Sequence, residues 1–221
     1  MASAVRNFVN LVRHEARTEL RNKQALTGLL VYSIASIFIT YLCFRYGVDP
    51  LTWNALFWLI MLFAATNAVA RSFLQETRGL QLYYYTLLNP AEVILAKTTS
   101  NFFLLLGLGL INTLVFSAFF NLEIGHPSLF LFVLVTGSLG MSSILTLVSG
   151  IVSKAQGSSA LVAILGFPLL LPLLISIIGL SKLAINYSTG ELPVDEFFLL
   201  PALDLIILLL SYILFPYLWR E

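Results

Sequence analysis

The stretch LFLFVLVTGSLGMSSILTLVSGIV, residues 129–152, decides the fold, because it runs for 24 residues without a charged side chain. A helix needs about 20 mostly apolar residues to cross the roughly 30 Å hydrocarbon core of a bilayer. None of the apolar stretches alternates with a period of two, which argues against a membrane β-barrel. The sequence therefore predicts one all-α transmembrane domain, residues 1–221, with six membrane-spanning helices. The other five predicted spans are residues 26–44, 53–70, 98–120, 158–181 and 197–219.

The composition also indicates a chain that is mostly embedded in lipid. Of its 221 residues, 59% are apolar and 10% are charged, whereas soluble domains average roughly 45–50% and 25%. The net charge of +1 predicts no nucleic-acid partner. Cys43 is the only cysteine, and no cluster of Cys and His occurs. We therefore expect no internal disulfide, no metal site and no tightly bound cofactor.

Lysine and arginine are distributed unequally between the two sides of the predicted bundle. Ten of the twelve lie before span one, between spans two and three, between spans four and five, or after span six. Only Arg45 and Lys182 lie in the remaining loops. Because basic residues are retained on the cytoplasmic side, these counts predict that both termini are cytoplasmic.

The first 25 residues predict an amphipathic helix that lies in the membrane interface. Apolar residues recur at spacings of three and four and form one stripe, namely Val5, Phe8, Val9, Val12, Ala16 and Leu20. The arginines fall together on a flank of the same helix, at Arg6, Arg13, Arg17 and Arg21. This pattern favours contact with anionic lipid headgroups. The alternative is that the arginines only hold the N-terminus in the cytoplasm.

The longest cytoplasmic loop, RSFLQETRGLQLYYYTLLNPAEVILAK (residues 71–97), predicts a coupling segment between spans two and three. A polar stretch ends at a glycine, and a short amphipathic run over residues 80–88 follows. A short helix held parallel to the membrane is a suitable docking surface for a cytoplasmic partner, whereas a solvated loop is the alternative. The candidate contact residues are Glu76, Arg78, Gly79, Leu80 and Leu82.

The end of this loop carries the signature of a helix start. Asn89 is placed to cap a helix, Pro90 fits its first position, and Glu92 is placed for a capping box. We therefore expect the third span to begin as a helix that is already in the cytoplasm.

Charged groups are scarce inside the predicted spans. Asp204 is the only acidic residue there, and an intramembrane carboxylate is a candidate for function. The alternative places Asp204 in the first turn of the last helix, after Pro201, where the helix dipole favours a carboxylate. Residues 197–201 would then form a short separate element at the outer surface.

Other polar and small residues predict packing or ligand roles. Asn67, Asn101 and Asn112 predict hydrogen bonds between helices, and the small residues of span four predict close helix contacts. His126, in the short outer loop, is a candidate haem ligand, with a solvated histidine as the alternative.

Sequence motifs for ATP binding, hydrolysis and phosphotransfer are absent. The chain contains no G-x-x-x-x-G-K-[ST] phosphate loop and no nucleophile elbow or kinase motif. So little of the chain lies outside the predicted spans that we expect no catalytic domain. Any work done on ATP must therefore fall to another chain.

The arrangement resembles the ABC-2 class of transporter permeases. The resemblance lies in the six spans, the basic N-terminal helix and the segment with Glu76, Gly79, Asn89-Pro90 and Lys97. More narrowly, the chain resembles the haem exporter B subunit of bacterial cytochrome c maturation. That resemblance includes RHEARTELRNKQALTGLLVYSIASIFITYLCF, residues 13–44, and its most specific part runs from Glu19 to Leu30.

The resemblance implies a multi-pass permease subunit of the bacterial inner membrane that is not catalytic by itself. A separate ABC ATP-binding subunit would bind ATP, and haem would be the substrate. Other cytochrome c maturation membrane proteins, membrane lipid and a second copy of the chain are the implied partners. The function would be haem export or release of a haem-loaded periplasmic carrier.

Two other functions remain open on the sequence alone. The first is an ABC-2 exporter permease for lipid, polysaccharide or drug, which genes neighbouring its own would distinguish. The second is a membrane scaffold or assembly factor, which predicts no association with an ATPase.

Overall fold

The computed structural model describes residues 2–44, 47–70, 72–73, 90–120, 124–155, 157–185 and 194–220. This part of the chain forms helices and no strand. An amphipathic helix precedes six apolar ones. In chain order they are α1 (Ala2–Arg21), α2 (Lys23–Cys43), α3 (Pro50–Val69), α4 (Pro90–Phe120), α5 (Pro127–Lys154), α6 (Ser159–Ile185) and α7 (Val194–Arg220).

Helices α2 to α7 are each long and apolar enough to cross a membrane. Their number and character confirm the predicted all-α integral membrane protein with six spans. Helix α4 has 31 residues, about one and a half times what a span requires. It therefore has room to extend beyond the bilayer.

Helix α5 is the central helix of the bundle, and α3, α4, α6 and α7 pack around it. Its glycines permit this, because a Cβ on Gly137 would lie only 3.2 Å from the Trp58 ring and 3.0 Å from Ile177. A Cβ on Gly150 would lie 2.8 Å from the Phe215 ring. The predicted role of the small residues in close packing is thus met in this structure.

The start of α3 shows how the sequence sets a helix boundary. Asp49 caps the helix and Pro50 occupies its first turn. The Thr52 backbone N–H donates to one Asp49 carboxylate oxygen (3.1 Å) and the Thr52 hydroxyl to the other (2.6 Å). These hydrogen bonds lower the pKa of Asp49 below its ordinary value of 3.8, because they favour the ionised carboxylate.

Residues 197–201 are not a separate element, so that expectation is wrong. Helix α7 runs without interruption from Val194 to Arg220 with Pro201 inside it. A proline removes one backbone hydrogen bond, and packing of the turn just before it holds the helix in place. Phe197 stacks on Phe132 with ring centroids 4.5 Å apart, and Leu200 is fully buried.

Helix α1 buries a side that only partly overlaps the predicted stripe. Leu11 is buried in a cluster with Phe73, Val93, Ile94, Ala96 and Phe215, while Phe8 and Val12 pack at its edge. Val9 and Leu20, which belong to the predicted stripe, are exposed. Because this cluster joins α1 to the start of α4 and to the end of α7, both termini lie at the same end of the bundle.

Candidate functional site

A buried ion pair joins α1 to α4 at the end of the bundle that carries the termini. The Lys97 ammonium lies 3.0 Å from a Glu15 carboxylate oxygen, and the two side chains are only 3% and 12% exposed. Lys97 also donates to the Ser72 carbonyl oxygen at 3.1 Å. Its ammonium lies 5.0 Å from the centroid of the Phe73 ring, within the range of a cation–π contact.

Ser72 and Phe73, which follow α3, are held by further contacts. The Asn101 amide donates to the Ser72 hydroxyl (3.1 Å) and to the Thr146 hydroxyl of α5 (2.9 Å). The Phe73 backbone N–H donates to the Ser149 hydroxyl at 3.4 Å. The Phe73 ring also packs on Phe215 of α7, with centroids 5.4 Å apart. Five helices thus meet around these two residues, in what we call the Lys97 junction.

The Lys97 junction joins the two ends of the predicted coupling segment. Ser72 and Phe73 lie at its start, and the helix that closes it begins at Pro90, with Glu92 in the first turn. The predicted contact residues, Glu76, Arg78, Gly79, Leu80 and Leu82, lie outside the described residues, as does Asn89. The structure therefore describes the contacts that hold the two ends of that segment, and not the segment itself.

The predicted headgroup arginines lie on the solvent or lipid side of α1. Arg13, Arg17 and Arg21 are exposed, and the Arg6 side chain lies outside the described residues. Arg21 is in the last turn of the helix, where a positive charge is favoured by the dipole.

His126 is exposed and lies immediately before α5. Its backbone N–H donates to the Ala184 carbonyl oxygen at 2.8 Å, which ties the C-terminal end of α6 to the start of α5. No group of three His, Cys, Asp or Glu side chains able to hold a metal occurs within the described ranges. The proposed haem contact of His126 stays a prediction.

Asp204 does not lie in the first turn of its helix, so that alternative is wrong. Helix α7 begins ten residues earlier, at Val194. The Asp204 side chain is 2% exposed and lies against Gly140 of α5, where a Cβ would overlap its carboxylate. Neither carboxylate oxygen has a hydrogen-bond partner among the described residues. The absence of a side chain at Gly140 is what makes room for this carboxyl group.

The predicted interhelical role of Asn101 and Asn112 is met by the structure. Asn101 bridges to Thr146, and the Asn112 amide donates to the Met61 sulfur at 3.4 Å. A further asparagine, Asn54, was missed because it lies near the start of a span, where nothing in the neighbouring sequence indicates its partners. Its partners come from α6, more than a hundred residues later.

Asn54 belongs to a buried hydrogen-bond chain at the far end of the bundle. Its amide donates to the Ile178 carbonyl oxygen (3.0 Å), and its own side-chain oxygen accepts from the Ser181 hydroxyl (2.8 Å). The Trp58 indole N–H donates to the same hydroxyl at 2.9 Å. This chain of hydrogen bonds fixes α3 against α6.

The described polar groups hold helices together and do not assemble a catalytic constellation. With six candidate spans, an amphipathic helix before them, and a junction that joins the two ends of the loop between the second and third spans, the molecule has the architecture of a transporter permease.

Residues 6–217 match the family model whose description is CcmB protein, and the chain belongs to this family, the haem exporter protein B family. The family makes it a membrane component of a haem exporter for cytochrome c maturation, and a permease component that is not itself catalytic. No curated protein matches the chain.

Proposed function

We propose that this chain is the subunit through which a separate ATP-binding cassette subunit drives haem export, or release of a haem-loaded periplasmic carrier. The observation that carries the proposal is the Lys97 junction. It ties Ser72 to Lys97, and so joins the two described ends of the segment that we predict to contact the ATPase.

A rigid base is what a coupling segment requires. Force applied between residues 74 and 89 passes to α3 through Ser72 and to α4 through Lys97, and the Lys97–Glu15 ion pair passes it on to α1. Buried, hydrogen-bonded charge pairs have strict geometry, because moving either partner leaves a desolvated charge. The junction therefore favours movement of α1, α3 and α4 as one body.

The remaining parts of the proposal rest on the sequence and the family. Both termini are placed in the cytoplasm by the lysine and arginine counts, and the membrane is the bacterial inner membrane. Two copies of the chain act with the cassette subunit and with other cytochrome c maturation membrane proteins. Haem is the substrate, and ATP is bound by the partner.

The test changes the coupling segment and leaves the junction intact. Gly79→Leu and Glu76→Lys are expressed with the cassette subunit in cells that lack the native gene. We expect normal membrane insertion, loss of haem-stained c-type cytochromes, and ATP hydrolysis by the complex that no longer responds to the permease. Glu123→Lys makes the same charge change in a predicted outer loop and should retain cytochrome c maturation.

The alternatives give different results in the same experiment. Unchanged cytochrome c maturation in both segment variants refutes coupling through residues 76–88. A chain that never co-purifies with the cassette subunit, and never alters its ATPase rate, is a scaffold and not a permease.

A further inference from the structure

A groove lies beside α1, between that helix and the spans α2 and α4. Its volume is about 320 Å³, at the lower end of the roughly 300–1,000 Å³ typical of ligand pockets. Its walls are almost entirely apolar and include Leu20, Leu30, Phe103 and Gly107. Gly107 leaves part of the groove open, because a Cβ placed on it meets no atom within 4 Å.

The groove is open at the surface, and its apolar walls are correspondingly exposed. Leu20 is 66% exposed and Phe103 is 61% exposed. The single acidic side chain in its lining, Glu19, has an interaction of its own and is not a free carboxylate. A slender apolar group is the occupant that these walls fit.

The arginines on α1 indicate that the group at the other end of the occupant is anionic. Successive residues of an α-helix turn by about 100°, so the core-facing Glu15, the groove-facing Leu20 and the flank of Arg13 and Arg17 follow one another around the helix. Both arginines are exposed. Around α1, the groove-facing side therefore lies between Glu15 of the Lys97 junction and the exposed guanidinium groups of Arg13 and Arg17.

We propose that this groove binds one anionic phospholipid, with an acyl chain against Phe103 and Gly107 and the phosphate at Arg13 and Arg17. Guanidinium groups suit phosphate because their planar N–H donors match its oxygens in pairs. Charge complementarity selects this occupant over a transmembrane segment of another protein, whose apolar side would leave both arginines without an anion. The site is a defined one, distinct from general adsorption of α1 to the membrane surface.

Filling the groove is the most direct test, because Gly107→Leu adds a side chain where there is open space. The matched control is Gly28→Leu, since Gly28 also has no atom within 4 Å of an added Cβ but lines a different groove, between α2, α3 and α6. The full-length protein is purified in mild detergent and titrated with phosphatidylglycerol or phosphatidylcholine, and bound lipid is counted by native mass spectrometry.

We expect the unsubstituted protein and Gly28→Leu to bind one phosphatidylglycerol more tightly than phosphatidylcholine. Gly107→Leu should bind phosphatidylglycerol about tenfold more weakly. The double variant R13Q/R17Q leaves the groove open and should lose the preference for phosphatidylglycerol, since each charged hydrogen bond is worth about a tenfold change in affinity. Its substitutions are on the surface, so it keeps the test valid if Gly107→Leu fails to fold.

Two results would overturn the proposal. One is phosphatidylglycerol binding in R13Q/R17Q, or in folded Gly107→Leu, that equals binding by the unsubstituted protein. The other is a photo-crosslinker at position 103 that captures a second copy of the chain or another protein in membranes, and not lipid.

Discussion

Lys97→Met removes the ammonium at the centre of the junction and replaces it with an apolar side chain of similar length. The Glu15 carboxylate, only 12% exposed, then loses a charge partner at 3.0 Å. Removing one member of a buried ion pair costs about 3–5 kcal/mol, because the remaining charge stays desolvated. We expect a loss of this size in the free energy of unfolding.

Two further variants show whether this loss arises from the pair itself. Glu15→Gln leaves Lys97 with the Ser72 carbonyl at 3.1 Å and the Phe73 ring at 5.0 Å, so we expect a smaller loss of about 1–3 kcal/mol. The double variant E15L/K97M removes both charges. Since apolar replacement of a whole buried pair is often neutral, we expect it to be more stable than Lys97→Met.

Equilibrium unfolding of the full-length protein in mixed micelles of dodecyl maltoside and SDS, followed by far-UV circular dichroism, measures these differences. A double-mutant cycle built from E15L, K97M and E15L/K97M extracts the coupling energy between the two side chains. A loss below about 1 kcal/mol in Lys97→Met, or additive losses in E15L/K97M, would refute the reasoning, because either result means that the pair is solvated.

Three more perturbations test other contacts. Gly140→Ala should cost about 1–3 kcal/mol of unfolding free energy, because its Cβ would lie 2.7 Å from Leu173 and against the Asp204 carboxylate. Asp204→Asn should be at least as stable as the unsubstituted protein, since neither carboxylate oxygen has a hydrogen-bond partner among the described residues. Asp49→Ala should destabilise the protein at neutral pH. That difference should fade as the pH falls through the folded-state pKa of Asp49, which lies below 3.8, because the depressed pKa stabilises the fold only while the carboxylate is ionised.

The same unfolding assay provides the controls. Gly28→Ala, at a glycine with open space around it, should show no loss, and a Gly140→Ala protein of equal stability would contradict the close approach of α5 and α7. A loss of about 1–3 kcal/mol in Asp204→Asn would mean that the carboxylate has a hydrogen-bond partner. A pH-independent effect of Asp49→Ala would mean that its carboxylate does not act through ionisation.

The spans were predictable from sequence because bilayer thickness imposes a length and lipid imposes a composition. Residues 129–152 satisfied both, and α5 is the central helix. The prediction that a separate element ends at Pro201 was wrong, since Pro201 lies inside α7. A proline in the sequence indicates only that one backbone hydrogen bond is lost. Whether the helix continues past it also depends on packing against residues that are distant in sequence, such as Phe132.

The junction was not predictable, because its members are separated along the chain. Glu15 and Lys97 are 82 residues apart, and each reads in sequence as one charged group near the membrane surface. The buried side of α1 was predicted only in part, since Phe8 and Val12 pack at the buried cluster while Val9 and Leu20 are exposed. Hydrophobic periodicity identifies an apolar side, but the neighbours that α1 meets decide that Leu11, and not Val9, is covered.

The position of the junction changes what a coupling mutant means. The sequence predicted function in residues 71–97 as a docking surface for a cytoplasmic partner. The structure joins the start of that stretch, at Ser72, to its end, at Lys97, through one hydrogen bond. A partner that moves the intervening residues must therefore move α3 and α4 together or break the Lys97 contacts, and the buried pair with Glu15 makes breaking them the costlier course.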